Sequence, residues 1–510
     1  MRVKKTINRL AASIAISIYL TLILSGCGGS VSGGEQTVLN SDTNASGARL
    51  QVNNISGSDA ADGIYQPFQS LQYALNQLRP GDVLVVQDSG QPYSTSEIIA
   101  EERNANGDLL RTLSGFKLST SGTEALPIII EGENTGRPII DQQQSSSIAG
   151  NAILGLFLDC VNHIVVRNFE IRNANEAGIS SATNGACDTT DITIEDNHIH
   201  HIYGEKYVGG IRMMGVSNLL VRGNRLHDIF SQQSSEDKVF FTDGRGLDNI
   251  LIENNQFEAL DTGVAINAQG IGNSTFALER QESVTGIQIA NNVFNNVGNS
   301  IDLHTTISDF PSNDKIITGL FSDLDIYGNI FDQVDSALVL DTGKSLYPSE
   351  SVCVFNNTIV NTLSSSLVLT SVSDTEIFNN IFSMPQSTLL ETNTAIANTS
   401  QNSLAYVDNN IFWNFSALSW RLSNGSTAET TYPDLVSWNM ASSHPELEAN
   451  PDVNALLDDP EFIDPSSANY QLSPTSPALL AGRFGMSVGA DFSFPENTDD
   501  IVNACIQRTF

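Results

Sequence analysis

Basic residues and histidines are concentrated in one stretch of the chain, residues 163–245. This window is about a sixth of the sequence, yet it holds five of the seven histidines and eight of the 24 Lys and Arg residues. Lysine and arginine can neutralise an anionic ligand, and a lysine near other cations can act as a base. The residues are Arg167, Arg172, Lys206, Arg212, Arg222, Arg225, Lys238, Arg245, His163, His198, His200, His201 and His227.

A recurring asparagine gives the spacing of the elements that must hold these side chains. An apolar residue stands two positions after each asparagine, and the gaps between them run from 23 to 37 residues. A period of about 30 residues with variable insertions is typical of a solenoid. The series is Asn197, Asn224, Asn255, Asn292, Asn329, Asn357, Asn380 and Asn410.

The repeated unit is predicted to be β-structure. Apolar and polar residues alternate before most of the asparagines, as in Ile192–Ile194, and a second apolar pair such as Gly210–Ile211 lies between them. Each coil should carry about three short strands, stacked about 4.8 Å from their copies. The asparagines should hydrogen-bond from coil to coil inside one bend. The predicted fold class is all-β, a single-stranded parallel β-helix of about ten coils.

Aligning the coils on the asparagines predicts which outward side chains lie side by side. The predicted rows are His200 with His227 and Glu258; His198 with Arg225 and Gln256; Arg212 with Ala265, Asp302 and Val339; and Met214 with Asn267, His304 and Asp341. Lys206, Asp261 and Asp335 fall in the loops that enter the sheet of Arg212, and insertions in the longest coils carry Lys238 and Arg245. Long loops on one flank of a solenoid commonly build its binding cleft.

Three further segments carry a resemblance to a known family. They contain Gly57-Ser-Asp59 with Pro67-Phe68-Gln-Ser-Leu71, then Leu126-Pro-Ile-Ile-Ile130-Glu-Gly132, and finally Asp459-Pro-Glu-Phe462 with Tyr470-Gln-Leu472. Residues 49–480 resemble the right-handed parallel β-helix proteins of the pectate lyase-like superfamily. The resemblance implies a capped β-helix over residues 49–450 and a closing segment over 451–510. Phe68, Leu71, Leu75 and Leu78 have the spacing of a short helix that would cap the open N-terminal end.

The resemblance implies a polysaccharide ligand and β-elimination chemistry. The carboxylate of an acidic sugar must be neutralised, by Ca²⁺ or arginine, while a base removes the C5 proton. Lys206 and Lys238 are the candidate bases, and Arg212 and Arg245 are the candidate neutralising groups. The candidate substrate-binding residues are His200, His227, Arg225, Asp302 and His304, and the candidate Ca²⁺ ligands are Asp261 and Asp335.

Two functional interpretations remain open at the level of sequence. The chain lacks the motifs of characterised alginate lyases, mannuronan epimerases, pectate lyases and polygalacturonases. The cation-rich window and the segment at 121–134 favour an enzyme that binds and cleaves an acidic polysaccharide. The missing motifs and the Asn- and Ser-rich later coils favour a non-catalytic adhesin or glycan-binding protein. His198, His200 and His201 could bind a metal, but stacked surface histidines are the simpler interpretation.

The N-terminus predicts export and lipid anchoring. Four basic residues precede an apolar run from Leu10 to Leu24, and Leu24-Ser-Gly-Cys27 has the form of a lipobox. Residues 1–26 are predicted to be a signal peptide, with Cys27 lipidated and residues 27–48 a flexible tether. The lack of an Asp beside Cys27 resembles sorting to the outer membrane of a Gram-negative bacterium. Ordinary signal cleavage, with Cys27 incidental, is the alternative.

Composition narrows the range of partners. Without the four basic residues of the leader, 20 Lys and Arg remain against 58 Asp and Glu, a net charge of −38. Such a chain should not bind nucleic acid. Calcium is a plausible cofactor, although the chain has no EF-hand loop and no glycine-rich Ca²⁺ repeat. A monomer is expected.

Two cysteines are placed one coil apart. Cys160 and Cys187 are 27 residues apart and stand at similar distances before Ile164 and Ile192, which open equivalent strands. They are predicted to form a disulfide, because exported proteins fold in an oxidising compartment. Cys353 and Cys505 show no such register.

Overall fold

The protein is a right-handed parallel β-helix, as the repeat and the resemblance predicted. A computed structural model describes residues 47–103, 106–143, 151–181, 189–205, 208–231, 240–244, 248–270, 284–307, 321–341, 349–370, 372–383, 390–393, 404–414, 420–423, 429–441, 447 and 450–490.

The parallel strands stack in three columns. The first column consists of Arg49–Val52, Val83–Val86, Ile128–Gly132, Ile164–Arg167, Thr189–Glu195, Val216–Arg222, Asp248–Glu253, Val284–Ala290, Phe321–Tyr327, Ser349–Phe355, Val372–Phe378 and Leu404–Asp408. The second consists of Ile139–Asp141, Glu170–Arg172, His198–Gly204, Arg225–Ser231, Ile330–Asp332, Thr358–Val360, Ile381–Ser383 and Ile411–Trp413. The third consists of Leu109–Leu118, Asn151–Leu158, Ala177–Ser181, Gly209–Met214, Phe240–Gly244, Ser336–Asp341, Leu367–Thr370, Leu390–Asn393 and Trp420–Ser423.

Two long strands join the second and third columns. Gln256–Gly270 and Val293–Ile307 are each 15 residues long and pair in both columns, so the two columns form one sheet. Antiparallel strands border this sheet: Ile98–Arg103 pairs with Leu109–Leu118, and Glu429–Tyr432 pairs with Trp420–Ser423. A separate hairpin pairs Phe462–Asp464 with Asn469–Leu472.

The asparagines form the predicted ladder inside the bend between the first and second columns. Asn255 shows the pattern: its Oδ1 accepts hydrogen bonds from the backbone N–H and the side-chain Nδ2 of Asn224, at 2.9 and 3.0 Å. Its Nδ2 donates to the Val221 carbonyl and to Asn292 Oδ1. The residue before each ladder asparagine has a positive φ, which Asn, Asp and Gly tolerate best. The ladder thus satisfies backbone groups that would otherwise be buried unpaired.

The ladder has a different residue at each end. Phe169 occupies the ladder position one coil before Asn197 and donates its backbone N–H to Asn197 Oδ1. At the other end, the buried carboxylate of Asp452 accepts from Asn410 Nδ2 and from Trp438 Nε1, both at 2.9 Å. Burial raises the pKa of Asp452 to about 7. These hydrogen bonds tie the ladder to the C-terminal part of the chain.

Short helices lie at both ends of the hydrophobic core. The helix Leu71–Gln77 buries Leu71, Ala74 and Leu75 against the first strands, and it matches the helical spacing seen in the sequence. The helix Leu435–Asn439 begins with an Asp434 capping box and places Trp438 in a stack on Trp420, with ring centroids 5.3 Å apart. Between them, Phe257, Phe294 and Phe331 stack inside successive coils.

The C-terminal segment, residues 456–490, lies along the outside of the later coils. Its apolar side chains pack on outward residues of the second column and bury them. Phe462, Leu472, Ala478 and Val488 lie in one cluster with Ile381 and Ile411, and Tyr470 and Ala490 lie in another with Ile330 and Val360. The segment therefore covers one part of the solenoid surface and leaves another part open.

Candidate functional site

The second column carries two outward rows of side chains, termed here the outer rows. The first row runs Glu170, His198, Arg225, Gln256, Val293, Ile330, Thr358, Ile381 and Ile411. The second runs Arg172, His200, His227, Glu258, Asn295, Asp332, Val360, Ser383 and Trp413. The alignment of His198 with Arg225 and of His200 with His227 and Glu258 was predicted correctly from the sequence.

Four imidazoles meet on the open part of the outer rows. This histidine cluster consists of His198, His200, His201 and His227, with the carboxylates of Glu170 and Asp228 at its edges. His198 Nε2 lies 2.7 Å from His227 Nε2, and His200 Nδ1 lies 2.5 Å from His201 Nδ1. The rings of His200 and His227 stack with a 3° angle and centroids 5.0 Å apart. The cluster holds these rings close together in one place.

Burial keeps the inner imidazoles neutral. It lowers the pKa of His198 to about 4, and the neighbouring rings of His200 and His227 lower it further in the same direction. Burial also lowers the pKa of His200, against the opposing effect of Glu170. Both rings are therefore uncharged at neutral pH, with lone pairs available to a proton or a metal ion.

An exposed aromatic pair borders the histidine cluster. Tyr203 and Phe230 are aligned in adjacent coils, and their rings stack 5.7 Å apart at 22°. Tyr203 is 46% exposed, which is high for a large aromatic side chain, and its ring makes an edge contact with His201. A flat apolar surface beside polar groups is the usual composition of a ligand-binding site.

Arg225 is the accessible cation of the described outer rows. Its Nη2 lies 2.9 Å from Glu258 Oε2, and the two side chains are 49% and 41% exposed. An exposed ion pair of this kind contributes only about 0–1 kcal/mol. A ligand carboxylate could therefore replace Glu258 at little cost.

The other described arginines of the cation-rich window are paired with carboxylates. Arg167 and Arg222 belong to a charged row on the first column, where Arg167 contacts Glu131 at 2.5 Å and Arg222 contacts Glu195 at 2.5 Å. Arg172 bonds to Asp141 and Glu170, at 2.8 and 2.7 Å. In its described part, the window is therefore not an unpaired basic patch, because each of the described arginines has a carboxylate partner.

Arg212 does not have the open position that strand alternation suggested. Its side chain points away from the core, but it is only 6% exposed. Its Nη1 lies 2.5 Å from Glu176 Oε1, and Arg111 contacts the other oxygen of the same carboxylate. Ser180 and Phe157, the aligned residues of the two preceding coils, are also buried. The expectation that Arg212 is a solvent-facing group is thus corrected: it belongs to a buried ion-pair network.

The remaining acidic candidates lie on the third column. Asp302 is buried, and its Oδ1 contacts Nε2 of His304. His304 is in register with Asp341, as predicted, and its Nδ1 lies 4.0 Å from Asp341 Oδ2. Asp335 is exposed at a bend, and the register around it places Asp261 two coils away with Gly298 between. The side chain of Asp261 lies outside the described residues, so calcium binding stays a prediction.

Several predicted residues lie outside the described part of the chain. These are Cys27, Cys187, Lys206, Lys238 and Arg245. Their roles in lipidation, in pairing with Cys160, and as bases or a neutralising group remain predictions. Among the described residues, no helix is long and apolar enough to cross a membrane.

Sequence reasoning missed four residues of this site. Glu170 lies one coil before His198, where Phe169 replaces the ladder asparagine, so an alignment on the asparagines begins one coil too late to include it. Asp228 lies at the bend where it and His201 have positive φ, and Tyr203 and Phe230 lie beyond that bend. Carrying the register across that bend would have aligned Tyr203 with Phe230.

Comparison with solved structures finds proteins of similar fold at low sequence identity. The chain is similar to a pectate lyase (14% identity, 88% of this chain and 97% of the other, TM-score 0.48) and to the GH136 lacto-N-biosidase from Eubacterium ramulus (14%, 81% and 68%, TM-score 0.50). A rhamnogalacturonan lyase matches at 12% identity over 82% of this chain and 91% of the other, with a TM-score of 0.47. The fold is a parallel β-helix. No protein-family model and no curated protein sequence matches the chain. At these identities, the similarity gives the fold and not the chemistry.

Proposed function

We propose that this β-helix is an exported lipoprotein that binds an acidic polysaccharide on its open outer rows and cleaves it by β-elimination. The observation that carries the proposal is the stack of the exposed Tyr203 on the half-buried Phe230 beside the histidine cluster. An exposed aromatic stack next to polar groups is the arrangement expected where an amphipathic ligand such as a sugar ring binds.

The open surface suits a chain-like ligand. Glu170, His198, Arg225 and Gln256 occupy four successive coils, which spans about 14 Å at the usual spacing between strands. Each coil presents a hydrogen-bonding group at the same position, so successive sugar units would meet similar partners along the axis. The aromatic pair lies alongside this path.

Arg225 is the group proposed to bind the sugar carboxylate. Its ion pair with Glu258 is exposed, so an incoming carboxylate can compete for the guanidinium. Binding of a carboxylate by arginine is strongest when both N–H groups engage it. This role replaces the one that the sequence suggested for Arg212, whose guanidinium is committed to Glu176.

Catalysis and anchoring complete the proposal. Lys206 or Lys238 would remove the C5 proton, Arg245 would assist in neutralising the substrate, and lipidated Cys27 would hold the protein at the outer membrane. The similar fold of a lacto-N-biosidase supports a carbohydrate ligand in general terms.

A second function is favoured by one specific observation. The described arginines of the cation-rich window are already paired with protein carboxylates. A chain of net charge −38 with so few unbalanced cations would bind a highly anionic polymer weakly. The alternative is therefore a non-catalytic protein that binds a neutral or weakly acidic glycan through the same aromatic pair.

One panel of glycans separates these functions. Tag-free mature protein is incubated with acidic and neutral polysaccharides, and both binding and the absorbance of unsaturated uronates are followed. Tyr203→Ala and Arg225→Ala should each weaken binding at least tenfold. Tyr65→Ala, at a tyrosine 90% exposed, and Arg49→Ala, at an arginine paired with Glu131, are the matched controls and should change nothing.

Each outcome of this panel has a clear meaning. Unsaturated products from an acidic polysaccharide support the lyase. Binding without products supports the non-catalytic alternative. Binding that survives both variants, or no binding to any glycan, refutes the proposed surface.

A further inference from the structure

We propose that Glu170, His198 and His200 form a binding site for a divalent transition-metal ion such as Zn²⁺. Each residue offers one ligand atom, and these atoms all lie within 4.8 Å of one another. The three side chains come from adjacent coils of the second column, where Glu170 is in register with His198. The solenoid backbone therefore fixes their positions, as a metal site requires.

A buried nitrogen of His200 without a hydrogen-bond partner faces the proposed metal position. His200 is 8% exposed, and its Nε2 makes no hydrogen bond in the structure. Glu170 Oε1 lies 3.4 Å from this nitrogen, and the geometry between the two atoms is not that of a hydrogen bond. A buried polar atom without a partner is costly. A cation between His200 and Glu170 would satisfy both groups.

The donor set favours a transition metal over calcium or magnesium. Two imidazole nitrogens and one carboxylate oxygen are the ligands of zinc sites, whereas Ca²⁺ and Mg²⁺ prefer oxygen. With three protein ligands, the coordination sphere would keep a position for water or for a sugar oxygen.

Neighbouring residues hydrogen-bond to the proposed metal ligands His198 and Glu170 and orient them. Asp228 Oδ2 lies 2.8 Å from His227 Nδ1, and His227 Nε2 lies 2.7 Å from His198 Nε2. Arg172 Nη1 donates to Glu170 Oε1 at 2.7 Å. Carboxylate–histidine chains of this kind orient metal-binding imidazoles.

This inference can be tested separately from the proposed glycan function. Glu170 and His198 belong both to the metal site and to the proposed glycan path. His200 serves the metal site alone, whereas Tyr203, Phe230 and Arg225 serve glycan binding alone. Loss of one activity in the corresponding variants would leave the other measurable.

The test is metal binding by the tag-free, metal-stripped mature protein. Isothermal titration with Zn²⁺ should give one site per chain, and Co²⁺ should give the visible absorption of a nitrogen- and oxygen-bound ion. His200→Asn and Glu170→Gln should each weaken Zn²⁺ binding at least tenfold. His163→Asn, at a histidine outside the cluster that contacts Asp191 at 3.3 Å, is the matched control and should bind as the parent does.

Two results would overturn the proposal. One is no Zn²⁺ binding by the parent protein, and the other is equal affinity in the parent and in the His200→Asn and Glu170→Gln variants. Circular dichroism reports whether each variant keeps its β-structure. If His200→Asn fails to fold, His198→Gln takes its place, and unchanged affinity there would refute the site equally.

Discussion

The early coils, residues 164–260, and the late coils, residues 284–413, have similar interiors, but their outer rows are polar in the early coils and largely apolar in the late coils. Both are held by the asparagine ladder and by stacked apolar side chains. On the outer rows, however, the early coils present Glu170, His198 and Arg225, whereas the late coils present Ile330, Ile381 and Ile411. The C-terminal segment covers the second set only. The interior thus defines the fold, and the exterior decides where a ligand can bind.

The first column shows the same change at the same level of the solenoid. In the early coils its outward row alternates Arg167, Glu195, Arg222 and Glu253, with Glu131 in the coil before them. In the late coils the row continues as Tyr327, Phe355 and Phe378, which stack. Arg483 of the C-terminal segment lies over Phe378 and Tyr406 and bonds to Glu376 at 2.6 Å. On both columns, therefore, the outward residues of the late coils are those on which the C-terminal segment packs.

The largest effect should come from the buried network of the early coils. Arg212→Ala leaves Glu176 with one of its two arginine partners, and removing a member of a buried ion pair costs about 3–5 kcal/mol. The free energy of unfolding, measured by urea titration, should fall by that amount. A loss below about 0.5 kcal/mol, as for an exposed side chain, would mean that Arg212 is open after all.

Burial of the late coils by the C-terminal segment can be tested with two variants on the first outer row. Ile381→Ala removes a side chain enclosed by Ala478 and Val488 and should cost about 3 kcal/mol. Gln256 lies on the same outer row in the early coils, and its side chain is exposed. Gln256→Ala should therefore change the free energy of unfolding by less than about 0.5 kcal/mol. Urea midpoints of the two variants give the contrast. Equal midpoints would remove the distinction between covered and open coils.

The shared interior predicts equal effects in both regions. Asn224→Ala and Asn380→Ala each delete the same set of ladder hydrogen bonds and leave backbone groups buried without partners, at about 1–3 kcal/mol each. Thermal and urea unfolding should rank the two variants together. A large loss in one region alone would show that the ladder is not a uniform support.

The smallest effect on stability should accompany a large effect on binding. Arg225→Ala breaks an exposed pair and should cost less than about 0.5 kcal/mol. Glycan affinity should nevertheless fall at least tenfold. Parallel unfolding and binding measurements check both parts, and a stability loss as large as that of Arg212→Ala would contradict the assignment of Arg225 to an open surface.

The sequence was sufficient for the fold and for much of the register. The asparagine spacing predicts the coils, and because the ladder is repeated without slips it aligns His198 with Arg225 and His200 with His227. It could not predict burial on the outside of the solenoid. Strand alternation says that Arg212 leaves the core, but not that Glu176 and Arg111 enclose it. Likewise, no local pattern reveals that residues 456–490 return along the late coils, since that contact joins segments about 100 residues apart.

Hydrogen–deuterium exchange with and without a bound polysaccharide tests the central claim most directly. Bound polysaccharide should slow exchange in His198–Gly204 and Arg225–Ser231, where the histidine cluster and the aromatic pair lie. Exchange in Thr358–Val360, Ile381–Ser383 and the C-terminal segment should be unchanged, because those surfaces already cover each other. Protection confined to the late coils or to the C-terminal segment would contradict the account.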